Sequence, residues 1–226
     1  MKNKVIITAA LSVSATFKQQ NQAIPYTPDE FAQEASKCFE VGARVVHIHA
    51  RDENGFASAE IERVRVVYDA VKDKTPELIV NITSSVGNTP EERIAPIIAI
   101  KPDMSSLNTN TMNFSIINRK TGMIAFDNVF TNTFTMLQDF GKAMEGNQVK
   151  PEPEIYDIGG LDNWILIQKQ GIFSTPFNFN FVWGVAGGQR FRPEVFSPLF
   201  MPCLLTPPLR LAAWALISSP PLPCPV

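Results

Sequence analysis

Hydrophobic residues along this chain switch repeatedly between a spacing of two and a spacing of three to four, and the switches divide it into strand–helix units. Lys4 to Ala10 is a short apolar run that predicts a first strand, and Ser12 to Tyr26 follows as a polar loop. Thr27-Pro28-Asp29-Glu30 then opens a helix, with Thr27 as its cap and Glu30 closing a capping box. Phe31, Ala35, Cys38 and Phe39 recur at helical spacing up to Gly42, and Ala43 to Ala50 is the next strand.

The same grammar repeats. Ile61, Val64, Val67, Tyr68 and Val71 mark a second amphipathic helix, and Leu78 to Thr83 a third strand. Thr89-Pro90-Glu91-Glu92 repeats the cap before a helix to about Ile100, in which Pro96 predicts a kink. Met104 to Asn108 is strand four. Thr109 to Asn128 is polar and too long for a normal connector, which predicts a functional loop or a small hairpin. A helix over about Val129 to Glu145, strand five at Pro151 to Tyr156, a helix over Leu161 to Gln170 and strand six at Phe177 to Val182 follow. The prolines of strand five fit a central strand only at its beginning. Six strands alternating with helices predict a parallel α/β architecture.

After Gly184 the pattern breaks. Residues 193 to 226 hold nine of the eighteen prolines, and no acidic residue follows Glu194. Leu209 to Ile217 fits one short apolar helix, and the rest is poorly suited to completing a sheet. The expected division is therefore a parallel α/β domain over residues 1–188, carrying strands one to six, and an atypical Pro-rich segment over 189–226. The abrupt shift is what an interaction tail, or a truncated or frame-shifted end, would produce.

Composition narrows the function. The 226 residues are 45% hydrophobic and 19% charged, ordinary for a globular chain with a sizeable core. A net charge of −2 argues against nucleic acid or an anionic membrane surface as partner. No apolar stretch is long enough to cross a bilayer, and the apolar run near the N-terminus lacks a cleavage region, so it reads as a strand. Cys38, Cys203 and Cys224 are too scattered for a disulfide framework, which points to a reducing, cytoplasmic compartment.

The candidate chemistry sits at the carboxyl ends of the strands, where parallel α/β folds place their active sites. His47 and His49, the only two histidines, are two apart on one strand and so share a face. Two imidazoles on one face fit a divalent metal, or two semi-buried rings bonded to neighbouring carboxylates. Zinc at a catalytic site takes three protein ligands, so another element must supply a third. Glu152 and Glu154 also share a face, and Glu154 fits a ligand, a base or an orienting carboxylate, or a rim salt bridge. Thr83, Ser84 and Ser106 are candidate hydroxyls, or caps and turn residues. Gly184, Gly187 and Gly188 would let a phosphate-bearing group approach the backbone, or simply form a turn. There is no Ser-His-Asp arrangement, and no Gly-x-Gly-x-x-Gly follows strand one.

Taken together, these stretches resemble the β-keto acid cleavage enzymes. The resemblance rests on Ile-Thr-Ala-Ala at 7–10, Tyr-Thr-Pro-Asp-Glu at 26–30, Gly-Ala-Arg-Val-Val-His-Ile-His-Ala-Arg-Asp at 42–52, Lys-Pro-Asp-Met-Ser-Ser-Leu-Asn at 101–108, Pro-Glu-Pro-Glu-Ile-Tyr at 151–156 and Phe-Val-Trp-Gly-Val-Ala-Gly-Gly at 181–188. It implies a (β/α)8 TIM-type barrel, here incomplete with about six βα units matched, so that residues 1–188 would be a (β/α) barrel domain. It also implies a zinc-dependent transferase, usually oligomeric, that converts a β-keto acid and acetyl-CoA into acetoacetate and a new acyl-CoA.

By that resemblance His47 and His49 are the zinc ligands, Thr83 and Ser106 contact substrate, and Glu154 is the active-site carboxylate. The chain departs from the family at Ser12-Val13-Ser14, where members commonly have Thr-Gly-Ala, and at Ala15, where some place a substrate-binding Glu. The family's third zinc ligand, a Glu followed by Asp, has no counterpart after Gly188, so strands seven and eight are expected to be missing. A catalytically inactive scaffold that assembles through the Pro-rich tail, and a different metal-dependent barrel enzyme, are the alternatives.

Overall fold

The computed structural model describes residues 5–14, 16–118, 121–190, 192 and 209–214. Its elements run β1 (Thr8–Ala10), α1 (Pro28–Glu40), β2 (Val45–Ile48), α2 (Ile61–Lys74), β3 (Ile79–Ile82), α3 (Pro90–Ile100), β4 (Met104–Asn108), β5 (Met112–Ile117), β6 (Ile124–Phe130), α4 (Phe134–Gly146), β7 (Lys150–Ile155), α5 (Ile158–Gln168), β8 (Phe177–Val182) and β9 (Leu209–Trp214). Seven strands form one parallel sheet in the order β1-β2-β3-β4-β7-β8-β9, and β5 and β6 pair separately as an antiparallel hairpin. Strand order follows chain order, as in a barrel opened along one seam. The architecture is an α/β half-barrel, with β1 and β9 as its edges among the described residues.

Four of the five helices among the described residues start at a side-chain cap, and Glu60 before α2 makes none. Thr27 and Glu30 make the reciprocal capping box of α1. Thr89 Oγ1 accepts from the Glu92 amide at 3.2 Å, and α3 continues through the buried Pro96. The outer face of the sheet carries Val46, Ile48, Val80, Ile82, Leu107, Ile155, Phe177, Phe179 and Phe181, buried against the helices in one core. Trp164 of α5 packs on Phe173, Phe177 and Phe179 at centroid distances of 4.4, 5.3 and 5.6 Å. With the outer face apolar, strand parity leaves the inner face to His47, Asn81, Ser106, Glu152, Glu154 and Asn180.

The small hairpin that the sequence allowed after β4 is present as β5–β6, but several other expectations change. The hairpin extends to Phe130, so Val129 and Phe130 belong to a strand. Helix α4 starts only after Thr133, whose Oγ1 accepts from the Met136 amide at 3.3 Å.

The prolines of β7 sit inside a central strand. Lys150 N–H and Glu154 C=O both turn to the β4 side, bonding Asp103 O at 3.1 Å and Thr109 N–H at 3.3 Å. By alternation the missing N–H groups of Pro151 and Pro153 face β8, whose pairing starts only at Glu154.

Leu209–Trp214 is a strand and not a helix, paired with β8 over six residues from Phe177↔Leu209 to Val182↔Trp214. The open edge of β8 supplies hydrogen-bond partners that local sequence does not encode, so pairing overrides the helical spacing. Residues 215–217, the rest of that expected helix, lie outside the described residues. A seventh strand is therefore present, and no eighth strand of this sheet occurs among the described residues.

Candidate active site

Four strands bring one group of side chains together beneath a cavity of about 350 Å³. His47 is on β2, in register with Ala10 of β1 and Asn81 of β3. Glu154 of β7 stands in register with Asn108 of β4 and Asn180 of β8. His49 lies one residue beyond the end of β2, where Ser12 fixes its backbone by donating to His49 O and accepting from His49 N–H, each at 3.0 Å. The carboxyl ends of the strands thus converge, as parallel sheets require.

Both imidazoles turn into the cavity, with Nε2 atoms 3.0 Å apart and ring centroids 5.0 Å apart. Burial pushes the His47 pKa down to about 4, with Asn81 partly opposing. His49 is held well below the usual histidine range by burial first, and then by the His47 and Arg51 charges. At neutral pH both rings are uncharged, so each carries a nitrogen lone pair.

Glu152 lies deeper and accepts from Asn81 Nδ2 at 2.6 Å and Asn178 Nδ2 at 3.0 Å. Burial, and next the neighbouring Glu154 charge, raise its pKa to about 8. Glu154 lines the cavity and accepts from Tyr156 Oη at 3.3 Å. Burial lifts its pKa to about 7, against the pull of Tyr156 and Arg93.

The donor set fits a divalent cation. Zinc–nitrogen bonds near 2.0–2.1 Å put neighbouring ligand nitrogens about 3.3 Å apart in a tetrahedron, close to the spacing of the two Nε2 atoms. One ligand atom each from His47, Glu152 and Glu154 also lie within 4.8 Å of one another, all three residues buried. Among the described residues the Oδ1 of Asn180, a residue that lines the cavity, is buried without a hydrogen-bond partner. An unpaired acceptor of this kind is open to an occupant of the cavity.

The loops complete the walls. Thr83 and Ser85, just past β3, line the cavity with their hydroxyls 2.7 Å apart. Arg51 holds the Val13–Ser14 loop by donating to Val13 O, and bonds Gly55 O at 3.0 Å. Arg93 donates to Ser84 O at 2.7 Å, Thr131 O at 2.9 Å and Asn132 Oδ1 at 2.7 Å, tying the loop after β3 to the foot of the hairpin. Val182 and Val185 close one side, and Phe114, Phe126, Asn128 and Phe130 of the hairpin cover the top.

The sequence candidates therefore separate. His47, His49, Thr83 and Glu154 share the cavity. Ser106 is buried beside it, its Oγ accepting from the Ser84 amide at 3.2 Å and its carbonyl from Ser84 Oγ at 2.5 Å. Gly184, Gly187 and Gly188 flank the cavity-lining Val185 without lining it themselves. Sequence reading missed Asn81, Asn180, Tyr156 and the hairpin rings. Alternation of Phe126, Asn128 and Phe130 was the available signal for the last.

Comparison with known proteins follows the same residues. The family model for beta-keto acid cleavage enzymes matches residues 4–219. A 3-keto-5-aminohexanoate cleavage enzyme of Acetoanaerobium sticklandii is 38% identical over 193 residues, covering 84% of this chain and 67% of that protein. A 3-oxoadipate:acetyl-CoA acetyltransferase of Cupriavidus necator is 24% identical over 197 residues, covering 87% and 66%. Among solved structures, apo ObcA superposes with a TM-score of 0.59 at 21% identity, covering 72% of this chain and 36% of that one, and it supports the fold. The chain spans about two thirds of the length of these curated relatives and just over a third of the ObcA chain. Since the family match runs through the histidine strand and the carboxylate strand alike, the chain belongs to the beta-keto acid cleavage enzyme family.

Proposed function

We propose that this site transfers an acyl group between a β-keto acid and acetyl-CoA, giving acetoacetate and a new acyl-CoA. The observation that carries the reading is the pair of neutral imidazole nitrogens 3.0 Å apart, beside the Glu154 carboxylate on the floor of a 350 Å³ cavity. The names of the relatives, a β-keto acid cleavage enzyme and an acetyl-CoA-dependent acetyltransferase, supply the reaction class.

In this reading His47 and His49 hold zinc, with Glu154 as the cavity-lining carboxylate beside them. Bound zinc would act as a Lewis acid toward the keto and carboxylate oxygens of the substrate. Glu154 Oε takes the proton from the carbon between those two groups and returns it, with Tyr156 Oη steadying the carboxylate. The carbanion left behind attacks the acetyl thioester carbon and expels CoA thiolate. The thiolate adds to the original ketone carbon, and the bond from that carbon to the newly acetylated carbon breaks, releasing the new acyl-CoA and an acetoacetate carbanion that takes its proton back from Glu154. Atoms and charge balance without an oxidant.

Thr83 contacts the substrate oxygens, and Ser106 holds the Ser84 backbone in place. Of the three glycines, Gly184, with nothing within 4 Å of its Cβ position, is proposed to let the CoA phosphates approach the backbone, while Gly187 and Gly188 pack against Asn113 and Tyr156. A homo-oligomer is proposed because Val5, Ile6 and Ile7 stand exposed beside the edge strand β1. No helix among the described residues is long and apolar enough to cross a membrane. The cytoplasm is proposed from the scattered cysteines.

The test is direct. The purified full chain is expected to bind one zinc and to form acetoacetate from a β-keto acid and acetyl-CoA, both abolished in His47→Gln. Absence of zinc together with absence of acetoacetate would overturn the reading.

A further inference from the structure

The floor and the roof of the cavity differ in kind. Below lie His47, His49, Thr83, Ser85, Glu154 and Asn180. Above lie Phe114, Phe126 and Phe130 of the hairpin, flanked by valines from the loops. Register explains the roof: Phe114 pairs with Asn128, Met112 with Phe130 and Ile116 with Phe126, so one hairpin face turns its rings to the site. Asn128 is the one polar hairpin residue in the lining, and its Oδ1 is engaged with the Val129 amide at 2.8 Å. Among the described lining residues there is no Lys, Arg or Asp, and the one Glu belongs to the floor.

We infer that this site selects β-keto acids whose far end is uncharged and apolar, an inference that rests on the reading of the floor as the β-keto acid site. The keto and carboxylate groups of such a molecule match the polar floor, which leaves the rest of the chain against the rings. Among the described residues, an ammonium or a carboxylate placed there would meet no counter-charge. Phe126 is 47% exposed, so the roof keeps apolar surface that a ligand tail can cover. An aromatic cage for a cation is not formed by Phe114 and Phe130. Their centroids are 6.3 Å apart at 70°, edge to face, so the pair packs on itself.

Binding, and not turnover, separates this inference from the reading it rests on. Titration calorimetry of the full zinc-supplemented chain would use 3-hydroxy acids, which keep the shape of the keto acid and do not react. The probes are 3-hydroxy-5,5-dimethylhexanoate, its charged isostere carnitine, and 3-hydroxyadipate. The neutral tail is expected to bind at least about tenfold tighter than either charged one. Phe126→Lys, at a half-exposed position that leaves the fold intact, is expected to shift the preference toward 3-hydroxyadipate. Equal or tighter binding of a charged probe overturns the inference, and so does binding of none. Tight neutral-tail binding in a chain that forms no acetoacetate upholds the inference while removing the proposed activity.

Discussion

Ser12 and His49 are joined by two hydrogen bonds through a single hydroxyl: Ser12 Oγ donates to His49 O and accepts from His49 N–H, each at 3.0 Å. The contact spans 37 residues and is buried, so it fixes the loop after β1 against the end of β2. Ser12→Ala leaves both backbone groups of His49 unpaired. We expect a loss of about 1–3 kcal/mol in denaturant unfolding, together with weaker zinc binding. Ser12→Thr, which keeps the hydroxyl, is expected to restore most of both. Unchanged zinc affinity in the alanine variant would show that His49 holds its position without this contact.

Arg93 is the anchor of the roof. Its three acceptors belong to two separate loops, and its guanidinium lies 4.9 Å from the Phe130 ring and 5.3 Å from the Phe140 ring. Arg93→Met preserves the stem and removes every donor, for an expected cost of about 3 kcal/mol. Hydrogen exchange at the hairpin amides should accelerate while the β2 and β3 amides stay protected. Lys at this position presents a point charge in place of a planar fork and is expected to recover only part of the loss. Uniform acceleration over the whole sheet would show that Arg93 supports the global fold and not the hairpin in particular.

The start of α1 carries an acid-sensitive contact. Glu30 accepts from the Tyr26 amide at 2.7 Å and the Thr27 amide at 3.1 Å, and pairs with Lys18. Lys18 first, then the Tyr26 amide, lower its pKa from 4.5 to about 2. The unfolded chain therefore takes up this proton before the folded one does. The contribution to stability is present above pH 4.5 and drains away as pH falls toward 2. Thermal melts of the wild type should decline more steeply across that window than those of Glu30→Gln, in which the titrating group is gone. Parallel curves would assign the acid sensitivity to other carboxylates. Thr27→Ala removes the other half of the capping box and is expected to cost about 1 kcal/mol at neutral pH.

How much of this was legible in the sequence depends on the range over which each feature is encoded. The side-by-side placement of His47 and His49, and of Glu152 and Glu154, follows from strand parity within a few residues. The Thr27, Thr89 and Thr133 caps are equally local, although Thr133 was outweighed by the apolar spacing of the preceding strand. Asn81 and Asn180 were not legible, because each matters through strand register: Asn81 donates to Glu152 across 71 residues, and Asn180 pairs with Glu154. β9 was invisible for the same reason. Its six residues read as a helix until the free edge of β8 is beside them.

The glycines after β8 test whether that loop is there for packing or for a ligand. Gly187 has φ +100°, and a Cβ built on it would lie 1.7 Å from Asn113 O, so the loop presses directly on the backbone of β5. The adjacent bond from the Ser115 amide to Ala186 O, at 3.3 Å, belongs to the same contact. Gly184 also has a positive φ, +83°, but nothing lies within 4 Å of its Cβ position. Gly187→Ala must push the hairpin away and is expected to cost about 3 kcal/mol, with loss of affinity for the neutral-tailed 3-hydroxy acid. Gly184→Ala carries backbone strain alone, about 1 kcal/mol, and should leave that affinity intact. If the loop also receives the phosphates of CoA, the Gly184 variant will show a raised KM for acetyl-CoA with little change in Tm. Wild-type KM in Gly184→Ala, with the Gly187 variant impaired, would reduce the glycines to the close packing of the loop on the hairpin.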